Sequence, residues 1–327
     1  MSRLKKRDAL RICAVGLLAS LAMLPPSAHG ATPPKLVKQG KTQSPLVEVT
    51  PFVFHDKLYL MESWQKQWDH PGAPDGSYHE QDEVRIRDLA SDTIVSTPLV
   101  GHGLAMALVW EDRVYVFASD YRPGDKNRGV LHSIDMTSSN DLRTWAKPIT
   151  ILAAEPKQQF FNVSVCREND RFVLLVETTA PQRIPFTFKF FSSDNLRTWK
   201  PVPKALYGTD QYVGGPALYH EGQWFYLLYL HSLGGDRFET RITRSKDLVD
   251  WQDAAADRPF LTFDPKQHVY PLRSDTIRES NASDAEVVYW KGRTLVYFTG
   301  GDQHLCGDLQ TATFDGTPRE LFESFFD

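Results

Sequence analysis

Cysteine is scarce in this sequence, with three in 327 residues. A chain of this size does not depend on disulfide staples for its core. No Cys/His spacing resembles a zinc site. Cys166 lies in an alternating apolar run with Val163 and Val165 and reads as a small buried hydrophobe. Basic charge is also in short supply. Lys and Arg number 37 against 41 Asp and Glu, a net charge of −4. The first 30 residues are themselves basic, so the remainder stands near −8. That balance excludes a general affinity for nucleic acid or anionic membranes, both of which need a basic footprint. Long apolar runs are missing except for Ile12–Leu24. As a helix that run spans only about 20 Å, short of a ~30 Å hydrocarbon core. It sits between a basic start and Ser27-Ala28-His29-Gly30-Ala31, and so reads as a secretory signal peptide cut near Gly30. Sustained 3.6-residue periodicity is absent, so helices should be few. An apolar fraction of 41% with 24% charged residues excludes wholesale disorder.

What the chain does have is a repeat. Ser139-Asn140-Asp141-Leu142-Arg143-Thr144-Trp145 recurs at Ser193–Trp199 and at Ser245–Trp251. All three fit S-x-[DN]-L-x-x-W, with starts 54 and 52 residues apart. A period near 50 residues is the scale of a propeller blade. Five short polar turns lie in phase with it, around Asp56, Asp112, Asp170, Gly222 and Gly292, each followed by a β-prone stretch such as Phe172–Val176. Asp and Gly in tight turns between alternating apolar runs are the hairpin signal. The expected fold is therefore all-β, a five-bladed β-propeller forming a single domain over residues 44–327. A signal peptide at 1–30 and an extended arm at 31–43 precede it. The repeat's Trp should pack between blades, and its Ser and Asp/Asn should bond local backbone.

In a propeller the inner strands converge on a funnel, which is the default site. Counting eight residues back from each central turn residue gives Glu48, Leu104, Asn162, Gly214 and Asp284. The ends of the second strands give Glu62, Asp120, Glu177, His231 and Asp302. Carboxylates at equivalent places suit glycoside hydrolysis, which needs one carboxylic acid and one carboxylate. Glu177 emerges from a hydrophobic run that favours its protonated form, so it is the candidate acid. Asp284, among polar neighbours, is the candidate base. Glu62 is a second base or tuning group, with Glu48, Glu286 and Asp302 held in reserve. Trp64, Trp68 and Tyr212 could stack on sugar faces. His102, Asn162, His231, Asp302, Gln303 and His304 could bond sugar hydroxyls.

These features resemble the five-bladed β-propeller glycoside hydrolases, the group that includes families 43, 32 and 117. The resemblance rests on the three repeats and on Gly214-Gly215-Pro216-Ala217-Leu218-Tyr219 leading to Trp224–Tyr229. It also rests on the closing segment Asn281–Gly316. It implies an acid, a base and a tuning acid in the funnel, and it covers nearly the whole mature chain. The family 32 motifs W-x-N-D-P-x-G and R-D-P are missing, and Glu48 stands where family 43 opens blade one with aspartate. The expected protein is an exported enzyme, secreted or periplasmic, acting on a plant or algal carbohydrate. Metal ligands and cofactors are not expected, although a divalent ion in the channel cannot be read from sequence. No nucleic-acid partner is expected, and no membrane partner once the signal is cut. A non-catalytic carbohydrate-binding propeller and a polysaccharide lyase are the competing expectations.

Overall fold

Alternation of apolar residues about short polar turns produces twenty strands among the described residues of the computed structural model, which are 36–43, 46–70, 78–122, 131–180, 186–268, 277–302 and 307–326. The expected signal peptide, Gln303, His304 and Cys306 lie outside these residues.

The first sheet comprises β2 (Val49–Phe54), β3 (Lys57–Trp64), β4 (Glu83–Asp88) and β5 (Thr93–Val100). The second comprises β6 (His102–Trp110), β7 (Arg113–Asp120), β8 (Ser133–Ser139) and β9 (Ile149–Ala153). The third comprises β10 (Phe160–Glu168), β11 (Arg171–Thr178), β12 (Thr187–Ser193) and β13 (Lys200–Tyr207). A fourth unit contains β14 (Val213–Glu221), β15 (Trp224–Ser232), β16 (Phe238–Ser245) and β17 (Trp251–Asp253). A fifth contains β18 (Asn281–Trp290), β19 (Arg293–Gly301) and β20 (Gly307–Phe314). Its fourth strand is β1 (Val37–Gln43), antiparallel to β20. Most of the expected N-terminal arm is therefore a paired strand, because an extended segment beside an open sheet edge satisfies its backbone by joining it. Two buried carboxylates hold it there: Lys41 Nζ lies 3.1 Å from Glu279 and 2.9 Å from Asp308. The fourth and fifth units are joined by a short parallel ladder, Phe238 to Asn281 and Glu239 to Ala282. A short α-helix, α1 (Pro318–Glu323), follows with a Thr317/Glu320 capping box.

The core lies between sheets. Five apolar clusters separate units one and two, two and three, three and four, four and five, and five and one. The first strands also touch in a cycle, β2 to β6 to β10 to β14 to β18 and back to β2. The repeats pin this arrangement. Ser139 Oγ accepts from the amides of Asp141 and Leu142, and Asp141 Oδ1 accepts from those of Arg143 and Thr144 at 2.7 Å each. The copy at Ser245 repeats all four bonds, and the copy at Ser193 repeats those from the amides of Asn195, Arg197 and Thr198. Each central Leu is buried with φ between 59° and 68°. That region is disfavoured for a branched side chain, so the bonds around it must hold it. Trp145 donates to Ser96 Oγ in the neighbouring sheet, while Trp199 and Trp251 pack into the clusters between units two and three and between three and four. Leu196→Ala is expected to cost about 2–4 kcal/mol in urea unfolding, since it empties a fully packed site between two sheets. A loss below about 1 kcal/mol would show that the repeat does not anchor the packing.

Candidate active site

The site forms where the first strands begin. The residue six before the end of each first strand is Glu48, Leu104, Asn162, Gly215 and Asp284. In all but Asn162 it has a positive φ, between 49° and 52°. The ladders of β6, β10, β14 and β18 skip register here, so a bulge re-aims the side chain off the sheet face. Three non-glycine residues held at such a φ store backbone strain, which is common at functional sites. The expected register was one residue early in the fourth unit. Its two-residue turn is Gly222-Gln223, so the equivalent residue is Gly215 rather than Gly214.

On the second strands, the residue six after the first is Ser63, Ser119, Glu177, Leu230 or Thr299. This position faces the next unit: Ser63 Oγ accepts from Ala105 N, and Glu177 Oε2 accepts from Gly215 N at 3.0 Å. Glu177 is only 4% exposed. Asn162 Nδ2 donates to Glu177 Oε2 at 3.1 Å and reaches Glu48 Oε1 at 3.5 Å. Asp284 approaches from the other side, where its Oδ1 lies 1.9 Å from the place a Gly215 Cβ would occupy. Ser283 Oγ donates to Asp284 Oδ2. Glu48, Glu177 and Asp284 therefore share one cup, tied by Asn162 and Gly215, with Glu48 and Asp284 half-buried at its opening.

Burial raises all three carboxyls. Glu177 is pushed up to about 8 by burial and by the Asp284 charge, against bonds from Asn162 and Gly215. Glu48 is raised well above its ordinary range by burial and by the charges of Asp284 and Glu177. Asp284 is raised by burial and held back by Ser283. Glu286, two residues further along β18, is pushed up to about 8 by burial, with Tyr219 donating to it at 2.6 Å. Among the described residues, no cation contributes to these shifts. The charge of Asp284 raises its three neighbours.

Comparison with known proteins then decides the fold. No family model and no curated protein matches the sequence. Solved structures do match in shape. A GH43 protein from Bacillus licheniformis superposes with a TM-score of 0.56 at 14% identity, over 81% of this chain and 50% of its own. This chain thus spans about half the length of that neighbour. The catalytic domain of a GH62 α-L-arabinofuranosidase from Coprinopsis cinerea gives 0.60 at 12% identity, over 86% and 98%. An α-L-arabinofuranosidase from Lactobacillus brevis gives 0.58 at 11%, over 84% and 92%. The chain has the fold of the propeller glycoside hydrolases.

Within this propeller the expected site residues separate. Glu177, Asp284, Asn162 and Tyr212 come together. Tyr212 is half-buried, and burial with the charges of Glu177 and Asp284 pushes its hydroxyl up to about 12. Glu62 does not join them. It is one residue short of the Glu177 position, and in a strand one residue reverses the face. It is fully buried against Arg87, with its carboxyl raised by burial and opposed by that guanidinium. His231 is one residue too far along its strand and faces the opposite way, toward Arg241, Glu239 and Asp253. Asp302 is buried just past the end of β19, three residues beyond the equivalent Thr299. His102 is 2% exposed, with Nδ1 on the Val100 carbonyl at 2.8 Å and Nε2 on Asp135 at 3.1 Å. It belongs to a buried group with Asp120 and Asp135 whose geometry would suit a metal ion. The guanidinium of Arg122 already bridges those two carboxylates at 2.7–3.0 Å. Trp64 is packed edge-on against Trp68 at 5.1 Å and under Arg85, so its ring faces protein rather than sugar. Gln303 lies outside the described residues. Glu48, held only in reserve, takes the place expected of Glu62, and the register count was the signal that pointed to it.

Proposed function

We propose that this chain is an exported glycoside hydrolase whose five units are the blades of a closed five-bladed propeller, and that Glu177 is its general acid. The observation that carries the reading is a cup of three carboxyls, Glu48, Glu177 and Asp284, tied together by Asn162 and Gly215, with Glu177 holding its proton to about 8. Glu177 donates that proton to the glycosidic oxygen as the bond to the anomeric carbon breaks. Asp284, whose charge raises Glu48, Glu177 and Glu286, is the carboxylate that activates water or attacks the anomeric carbon. Glu48, which Asn162 reaches at 3.5 Å, is the third carboxyl of the cup and its tuning group. Three neighbours are described as α-L-arabinofuranosidases, which makes neutral pentose side chains of plant polysaccharides the substrates to try first. The lyase reading loses support because it requires a basic residue beside a neutralised uronate, whereas this cup is anionic.

Incubation with arabino- and xylo-oligosaccharides, followed by product chromatography, tests the reading. Asp284→Asn should lower kcat/KM by about 10²–10⁴-fold, and Glu48→Gln should shift the pH profile. Sugar binding without any product from the wild-type chain would favour a non-catalytic propeller. For the wild type, kcat/KM should fall on the alkaline side as Glu177 loses its proton near pH 8. On the acidic side it should fall as Asp284 gains one, above the ordinary aspartate range. An alkaline limb that survives in Glu177→Gln would remove Glu177 from the acid role.

A further inference from the structure

We propose that Phe161, Phe186, Tyr212 and Phe238, a row of rings beside the carboxyl cup, form a second sugar subsite that holds the ring on the leaving-group side of the scissile bond. The existence of this subsite stands on geometry alone, and only its leaving-group side rests on the glycosidase reading above.

The rings are contiguous. Phe161 meets Phe186 at 4.9 Å, Phe186 meets Tyr212 at 5.6 Å, and Tyr212 meets Phe238 at 6.2 Å between centroids. All four are half-buried, whereas Phe188 and Phe190 on the neighbouring strand are fully covered. A row of large rings left partly open beside a polar cup is a built surface rather than unfinished core, since burying each ring would gain roughly 1.5–3 kcal/mol. Flat apolar rings with one face available are what the C–H faces of a sugar need.

The row stands against Glu177. Phe161 precedes Asn162, whose amide bonds the Glu177 carboxyl. Phe186 lies two residues before Phe188, which pairs with Glu177 across the ladder. Tyr212 feels the charge of Glu177 more than that of Asp284. A general acid protonates the departing oxygen, so the surface around it faces the departing group. The anionic cup repels a uronate, which leaves neutral saccharides as the ligand class. Trp64 already has the Arg85 guanidinium 4.4 Å over its ring, and so does not offer a competing platform.

The test is calorimetric binding in a Glu177→Gln background, which prevents turnover. The probes are L-arabinose, D-xylose, α-1,5-arabinobiose and xylobiose. Phe186→Ala combined with Phe238→Ala should lower the disaccharide-to-monosaccharide affinity ratio at least tenfold, and Phe186→Tyr should restore it within threefold of the parent. Far-ultraviolet circular dichroism confirms that each variant folds. A ratio that does not move, an equal loss for both sugar sizes, or no measurable binding of any probe overturns the subsite. If the wild-type chain cleaves neither disaccharide, the glycosidase reading fails separately, and the affinity ratio still decides whether the rings hold a second sugar.

Discussion

Glu177→Gln should lower turnover of an oligosaccharide by about 10²–10⁴-fold, the usual contribution of a positioned acid, while making the folded protein more stable above neutral pH. The two effects share one cause. The folded chain keeps the Glu177 proton up to about pH 8, whereas an ordinary glutamate releases it near 4.5. Between those values the folded state binds more protons than the unfolded state, so stability declines as pH rises through that window and levels off beyond it. The amide carries no charge to desolvate, and its oxygen can still accept from Gly215. A gain on the order of 1–4 kcal/mol at pH 8, vanishing below pH 4.5, is expected in urea titrations. The catalytic defect should shrink for a glycosyl fluoride, whose leaving group needs little protonation. An equal defect for fluoride and oligosaccharide would assign Glu177 a different role, and a stability change independent of pH would contradict its raised pKa.

Gly215→Ala should be severely damaging to both turnover and stability. A Cβ there would stand 1.9 Å from Asp284 Oδ1 and 2.9 Å from its Cγ. The backbone φ of 49° adds strain for any L side chain. Asp284 cannot swing away freely, because Ser283 holds its other oxygen and its own φ is 50°. Displacing that carboxylate by about 1 Å should cost at least 10²-fold in kcat/KM, together with about 2–4 kcal/mol of stability. Gly214→Ala is the internal control. Its Cβ would meet nothing closer than Glu177 Oε2 at 3.8 Å, and its φ is ordinary. The pair separates clash from a general sensitivity of β14. Equal stability losses in the two variants would show that the close approach of Gly215 to Asp284 does not matter.

Much of the fold was legible because its signals are local. Two-residue polar turns and period-two alternation mark the hairpins, and the S-x-[DN]-L-x-x-W copies mark the joints between sheets. Each motif closes its bonds within five residues, so sequence alone carries it. The site was harder to read because it depends on register. Glu62 and Glu177 both end apolar strands, yet one residue of offset sends Glu62 to Arg87 and Glu177 to Asn162. The error at Gly214 arose in the same way, from a turn whose centre was placed one residue early. Asn162 and Asp284 emerged from the count because their turns were placed correctly. The Arg122 bridge between Asp120 and Asp135, the pairing of β1 with β20, and the ring row from Phe161 to Phe238 join residues far apart in the chain, and no short pattern announces them.

The most direct test of the cup is a carboxyl titration by carbon-13 NMR on protein labelled at the glutamate side-chain carboxyl. Glu177 and Glu286 should both titrate near pH 8, and the spectrum of Glu177→Gln should lack one of these two resonances. If the resonance removed by that substitution instead titrates between pH 4 and 5, Glu177 is an ordinary solvated glutamate and the acid role assigned to it is wrong.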